Sequence, residues 1–144
     1  MSFKLIARND SGQKIQVDPA SISGANVVLN DVSCDISVYV GAAVRMTTGG
    51  TALNAIADSL ANSNVIGIVE SKPSTTTCNI RVLGVSLSIY TGLDVTKEYY
   101  LSDSIAGEIQ TSTPTSSGSV ILKLGQPFSD TEFLMTKGQR TVRL

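Results

Sequence analysis

The chain has 144 residues, with eleven Lys or Arg, twelve Asp or Glu, no His, no Trp and a formal net charge of -1 at neutral pH. The missing histidine excludes the Ser/His/Asp and Cys/His arrangements and the commonest metal ligand, and two cysteines cannot complete a four-ligand zinc site of Cys/His type within one chain. Polarity rests on 19 Ser and 14 Thr rather than on ions, which argues against a phosphate-binding surface and for one that meets other proteins.

A chain of this length is expected to form one domain and to bury about two thirds of its extended surface, enough for a core without staples. At the N-terminus, Asn9 and Asp10 arrive before any apolar stretch of seven or more, so no signal peptide is expected. No stretch approaches the roughly 18 apolar residues of a membrane helix. Synthesis in a reducing cytosol follows, and with it Cys34 and Cys78 as two buried thiols. Pairing them would stabilise the fold by about 4 kcal/mol in the chain-entropy model.

The apolar residues fall in short runs with a period near two. Residues 3–6, 14–17, 27–29, 36–40 and 43–46 read as strands by alternation and β-branching. Gly49-Gly50 offers a two-residue hairpin turn, after which residues 52–57 read as a strand and 58–62 as a turn or single helical turn. Leu53, Ile56, Ala57 and Leu60 would also fit one helix face. Further strands are expected over 64–70, 79–87, 98–102, 119–124 and 132–135. Two Ser/Thr/Pro tracts, 71–77 and 111–118, hold no core-forming residue and read as exposed connections. Many short strands at this spacing predict an all-β fold, a small antiparallel β-barrel or β-sandwich. Residues 1–37 are less regular and form an N-terminal arm, and residues 38–144 form the barrel or sandwich domain. The arm either docks on a neighbour, which would put Phe3, Lys4, Leu5 and Ile6 in a contact with a partner protein or another subunit, or makes two edge strands.

Candidate chemistry is sparse. No Gly-rich loop is followed by Lys-Ser or Lys-Thr, and Gly84-Val85-Ser86-Leu87-Ser88 ends in Ser where a nucleophile elbow needs Gly. Glu70, Glu98, Asp103 and Glu108 could supply a carboxylate pair, but each lies at a strand end or in a turn, where acidic residues are ordinarily solvated. Isolated acidic residues do not make a calcium site. No catalytic residue, cofactor or metal is therefore expected. Lys137, Arg140 and Arg143 crowd the last eight positions, either to contact an acidic partner or as a solvated terminal strand. The four tyrosines, Tyr39, Tyr90, Tyr99 and Tyr100, are too dispersed for a nucleic-acid stacking platform and read as core or interface aromatics.

The order of several motifs resembles a recurring domain of tailed-bacteriophage virion proteins. The first half carries Val40-Gly41-Ala42-Ala43-Val44, Ala55-Ile56-Ala57-Asp58-Ser59 and Asn64-Val65-Ile66-Gly67-Ile68-Val69. The second half carries Tyr99-Tyr100-Leu101-Ser102-Asp103, Ala106-Gly107-Glu108-Ile109, the tract from Thr113 to Val120, and Leu124-Gly125-Gln126-Pro127-Phe128-Ser129-Asp130-Thr131-Glu132-Phe133. The likeness covers roughly residues 38 to 136. Gln126-Pro127-Phe128 departs from the Tyr/Arg-Ala-Leu of many relatives, and Pro127 lacks a backbone donor, so its strand must be at an edge or bulged there.

Such domains occur in head-decoration (cement) proteins and in tail or fibre components. The resemblance implies a non-enzymatic protein of the outer head surface, made in the bacterial host cytoplasm. Its implied partners are the major capsid protein or another virion protein and copies of itself, as a homo-oligomer of trimer type, with no nucleic acid and no membrane. A tail, collar or fibre component is the alternative, and a host-receptor or carbohydrate-binding module stands behind both.

Overall fold

The computed structural model describes residues 26–144 in full and, of residues 1–25, the backbone of two strands. Those two, β1 (Leu5–Arg8) and β2 (Lys14–Val17), pair antiparallel with Leu5 opposite Val17. Eleven strands follow: β3 (Val27–Ser33), β4 (Ala43–Met46), β5 (Ala52–Asn54), β6 (Val65–Ser74), β7 (Thr77–Val85), β8 (Tyr99–Leu101), β9 (Ile109–Gln110), β10 (Val120–Ile121), β11 (Lys123–Pro127), β12 (Phe133–Met135) and β13 (Thr141–Val142). No helix occurs among the described residues. The protein is all-β, an antiparallel sheet curled into a half-barrel with a small second sheet beside it.

The order in the main sheet is β5-β4-β6-β7-β12-β11-β8-β9, with β3 also on β7. Strand β7 is the pivot. It pairs with β6, with β3 from Ser33 opposite Thr77 to Val27 opposite Leu83, and with β12 at Gly84 and Val85. The run from Val65 to Val69 is almost continuously apolar because this part of the sheet is buried on both faces. On one face Ala43, Val65 and Ile68 join Leu101, Val120, Leu122, Leu124, Phe133 and Met135 in the larger core. On the other, Val44, Val69 and Ile80 join Cys34, Val38, Ala42, Ala52 and Cys78 in a smaller one. Each fully buried Val, Leu or Ile contributes about 1.5–3 kcal/mol relative to exposure.

Four local expectations change. Residues 36–40 form turns rather than a strand, because the Asp35 carboxylate accepts bonds from the Ser37 backbone N–H (3.0 Å) and hydroxyl (2.5 Å), and Val38 N–H returns to the Asp35 carbonyl at 3.0 Å. The β4–β5 hairpin turns through three residues, since Thr47 N–H still bonds the Thr51 carbonyl at 2.9 Å; Gly50, at φ +82°, supplies the left-handed residue this turn requires. The tract at 71–77 is mostly strand: β6 runs to Ser74 and β7 starts at Thr77, leaving Thr75 and Thr76 as the turn. The tract at 111–118 is a connection as expected, yet Pro114 within it is fully buried. After β5, Ser63 N–H bonds the Ser59 carbonyl at 3.1 Å, the single helical turn expected there.

Pro127 sits where it can be tolerated. Strand β8 accompanies β11 only from Lys123 to Gly125, across a register shift, so at Pro127 the strand has β12 alone beside it.

Candidate functional site

The connection between β3 and β4 crosses the small core and reaches the rim of the large one. It contributes Cys34, Val38 and Ala42 to the small core, and Lys72 Nζ ties it down by donating to the Val38 carbonyl at 2.6 Å. At its far end Gly41 N–H bonds the Val69 carbonyl at 2.7 Å. Here the chain meets the β7–β8 connection, which is held to the large core by Ile89 and Tyr90 N–H bonds to the Thr131 carbonyl (3.1 and 3.0 Å) and by Leu93 N–H on the Asp130 carbonyl (3.0 Å).

Between the two connections lies a cleft of about 320 Å³, lined by Tyr39, Val40 and Gly41 on one side, Tyr90 to Leu93 on the other, and Tyr99, Glu108 and Ile109 at its base and rim. Its aromatic rings are braced. Tyr90 and Tyr99 both meet Phe133 edge-on, at centroid distances of 6.0 and 5.9 Å. Tyr90 Oη donates to the Gly41 carbonyl at 2.8 Å, and Tyr99 Oη accepts from Asp94 N–H at 2.9 Å. Gly41 must be glycine: its φ is +94°, and a Cβ there would lie 3.1 Å from the Tyr90 ring.

The electrostatics of the cleft are one-sided. Among the described residues, Glu108 is exposed, is the only charged residue lining the cleft, and is in neither of the two ion pairs. Burial first, and then the nearby Glu108 carboxylate, raise the Tyr39 hydroxyl above its ordinary range. Burial, and then Tyr39, push Tyr90 higher still. Both phenols are therefore neutral hydrogen-bonding groups at any physiological pH.

Of the contact residues expected from sequence, Lys137, Arg140 and Arg143 are described and none lines this cleft. Leu5 and Ile6 are in β1, while Phe3 and Lys4 lie outside the described residues. Lys137 borders a second, smaller cleft with Met46, Asn64, Val65 and Ile66. Arg140 donates to the Leu60 carbonyl at 2.5 Å and Arg143 to the Thr115 carbonyl at 3.2 Å, so both exposed side chains tie the C-terminal segment to its own chain. Strand β13 lies between them, paired with β10.

The four acidic residues weighed as a catalytic pair have separate duties. Glu70 is not solvated: it is buried in a two-pronged ion pair with Arg81, at 3.0 and 3.2 Å, and also accepts Leu87 N–H. Glu98 pairs with Lys123 at 3.2 Å on the surface, Asp103 accepts the Ser119 hydroxyl at 2.9 Å, and Glu108 is at the cleft. Ser86, the near-miss nucleophile, is a structural clasp that donates to the Leu87 carbonyl and accepts Phe133 N–H at 3.0 Å. Cys34 and Cys78 are unpaired and buried together; burial, and then the neighbouring Cys34, push the Cys78 thiol up to about 12.

Sequence reasoning dispersed the tyrosines, and the fold gathers three of the four. Tyr39-Val40-Gly41 and Tyr90-Thr91-Gly92 repeat a Tyr-x-Gly pattern, which marks two similar turns but not their contact, and both glycines adopt positive φ, at +94° and +69°. Among the described residues no group of three or more His, Cys, Asp or Glu is placed to hold a metal, and no helix is long and apolar enough to cross a membrane. No family model, curated protein or solved structure matches the chain.

Proposed function

We propose that this chain is a structural protein of a tailed-bacteriophage particle, which decorates the outside of the assembled head and stabilises it. The observation that carries the reading is where the phage-like residues lie. Ala43, Ala57, Val65, Ile68, Leu101, Val120, Leu124 and Phe133, all within the motifs that resemble those virion proteins, are buried side chains of the large core, and Val44 and Val69 belong to the small one. The resemblance therefore rests on residues that make a fold, in the order in which they make it.

The surface suits the same role. Ile36, Leu60, Leu87, Val95, Ile105 and Phe128 are each at least half exposed on a surface poor in ions. Packing against neighbouring subunits would bury such area at roughly 25 cal/mol per Å². A small net charge lets many copies sit side by side without strong self-repulsion. The mechanism is mass action: a protein that binds the assembled shell and not the loosened one shifts the balance towards the shell.

The test is quantitative mass spectrometry of purified particles from the phage that encodes the chain. A decoration protein is expected at hundreds of copies per particle. A few to a few dozen would move it to the tail or collar, and absence from particles would overturn the reading.

A further inference from the structure

We propose that the tyrosine-lined cleft is a binding site for an organic cation with an alkylammonium head group. Three features point to that chemistry. The first is the concentration of aromatic rings: Tyr39, Tyr90 and Tyr99 are three of the four tyrosines in the chain, and all line one cleft of about 320 Å³. Aromatic rings attract a cation through their quadrupole, and clustered rings are the known solution for quaternary ammonium groups.

The second is the lone carboxylate. Among the described residues Glu108 is the only charged one lining the cleft, no cation pairs with it, and its field reaches the Tyr39 hydroxyl. An ammonium group in the cleft would meet an opposite charge at the rim and aromatic rings within.

The third is how little hydrogen bonding the cleft offers a neutral polyol. The Tyr90 hydroxyl proton is spent on the Gly41 carbonyl, Tyr99 Oη already accepts from Asp94, and among the described residues the remaining polar side chains of the lining are Tyr39, Thr91 and Glu108. A quaternary ammonium has no N–H to satisfy and gains from both the rings and the carboxylate. The site is also pre-formed: Tyr90 and Tyr99 are braced on Phe133 and Tyr90 is pinned to Gly41, so binding orders little. The inference is independent of where the chain assembles, because the cleft lies within one subunit.

The chain has no Trp, so its intrinsic emission comes from four tyrosines, three of them at the cleft. The full chain is titrated with choline, with Nα-acetyl-lysine amide, and with dimethylbutanol, the neutral isostere of choline, while tyrosine fluorescence is followed. Saturable quenching is expected with a cation, at least about tenfold weaker binding with the neutral isostere, and loss of most of that difference in Glu108→Gln. Preference for choline would identify a small quaternary ammonium as ligand, and preference for the lysine derivative a side chain of a protein partner. No saturable response to either cation, or equal binding of dimethylbutanol, would overturn the proposal. Glu108 is exposed, and an unchanged circular dichroism spectrum shows that its replacement leaves the fold intact. Should the variant misfold, the comparison of choline with dimethylbutanol on the unaltered chain decides alone.

Discussion

The two faces of the β4–β6–β7 region are sealed in different ways. The larger core is closed by strands: β8, β10, β11 and β12 bring Leu101, Val120, Leu122, Leu124, Phe133 and Met135 onto Ala43, Val65 and Ile68. The smaller core is closed largely by a connection, whose Cys34, Val38 and Ala42 lie over Val44, Val69, Cys78 and Ile80. Large side chains from paired strands fill the first, while small side chains and two thiols fill the second, where the covering chain has few ladder bonds to hold it. The cleft opens where the two covers meet, with Tyr39 and Gly41 from one and Tyr90 and Tyr99 from the other. The cleft thus lies at a seam between two separately built covers.

The comparison breaks most visibly at Phe133. It is fully buried and braces two cleft tyrosines, so Phe133→Ala is expected to cost about 4 kcal/mol in denaturant unfolding and to change tyrosine emission as well. A cost below about 1 kcal/mol would mean that the strand-sealed core is not the main support.

Next comes the buried ion pair. Ile68 stands opposite Arg81 in the ladder, which puts Arg81 on the large-core face with Glu70, and Arg81 Nη1 has no partner among the described residues. Replacing Arg81 with Met strands a buried carboxylate and is expected to cost about 3 kcal/mol, whereas replacing both residues with apolar ones of similar size should recover most of that loss. Urea midpoints of the two single variants and the double variant measure it.

The small core gives a milder, pH-dependent effect. Folded Cys78 keeps its proton up to about pH 12, while an unfolded thiol releases it near 9.0. The unfolded state therefore sheds protons first, so this contribution is intact below pH 9 and is lost as pH rises through the window between the two values. Tyr39 and Tyr90, also raised, act in the same direction above 10.0. Thermal midpoints of wild type and Cys78→Val should lie close together at pH 7, with the wild type falling more steeply above pH 9. The smallest effect belongs to the surface: Glu98→Gln removes the exposed pair with Lys123 and should change stability by no more than about 0.5 kcal/mol.

Much of the sheet was legible because alternation and β-branching are local signals. Residues 14–17 and 43–46 are strands with the bounds expected of them, and the buried positions of β8, β10 and β12 follow from their apolar spacing. The misreadings arose where a local pattern met competition. Ile36, Val38 and Val40 alternate like a strand, but the Asp35 carboxylate captures Ser37 and turns the chain, leaving Ile36 72% exposed and only Val38 buried. The hydroxyl-rich stretch at 71–74 looks like a loop because its side chains build no core; backbone pairing with β7 and a Ser74–Thr77 hydroxyl bond at 2.8 Å carry it instead. The cleft was hidden for another reason. Tyr39 and Tyr90 are brought together by tertiary structure alone, and no period in the chain encodes a contact across that separation.

The proposed role in head decoration is tested most directly by comparing head shells with and without this protein, under a temperature ramp that follows release of packaged DNA. The account predicts that stripped shells remain assembled but release DNA at a lower temperature, and that adding the purified chain back restores the higher one. Equal survival of stripped and decorated shells, with no effect of adding the chain back, would contradict it.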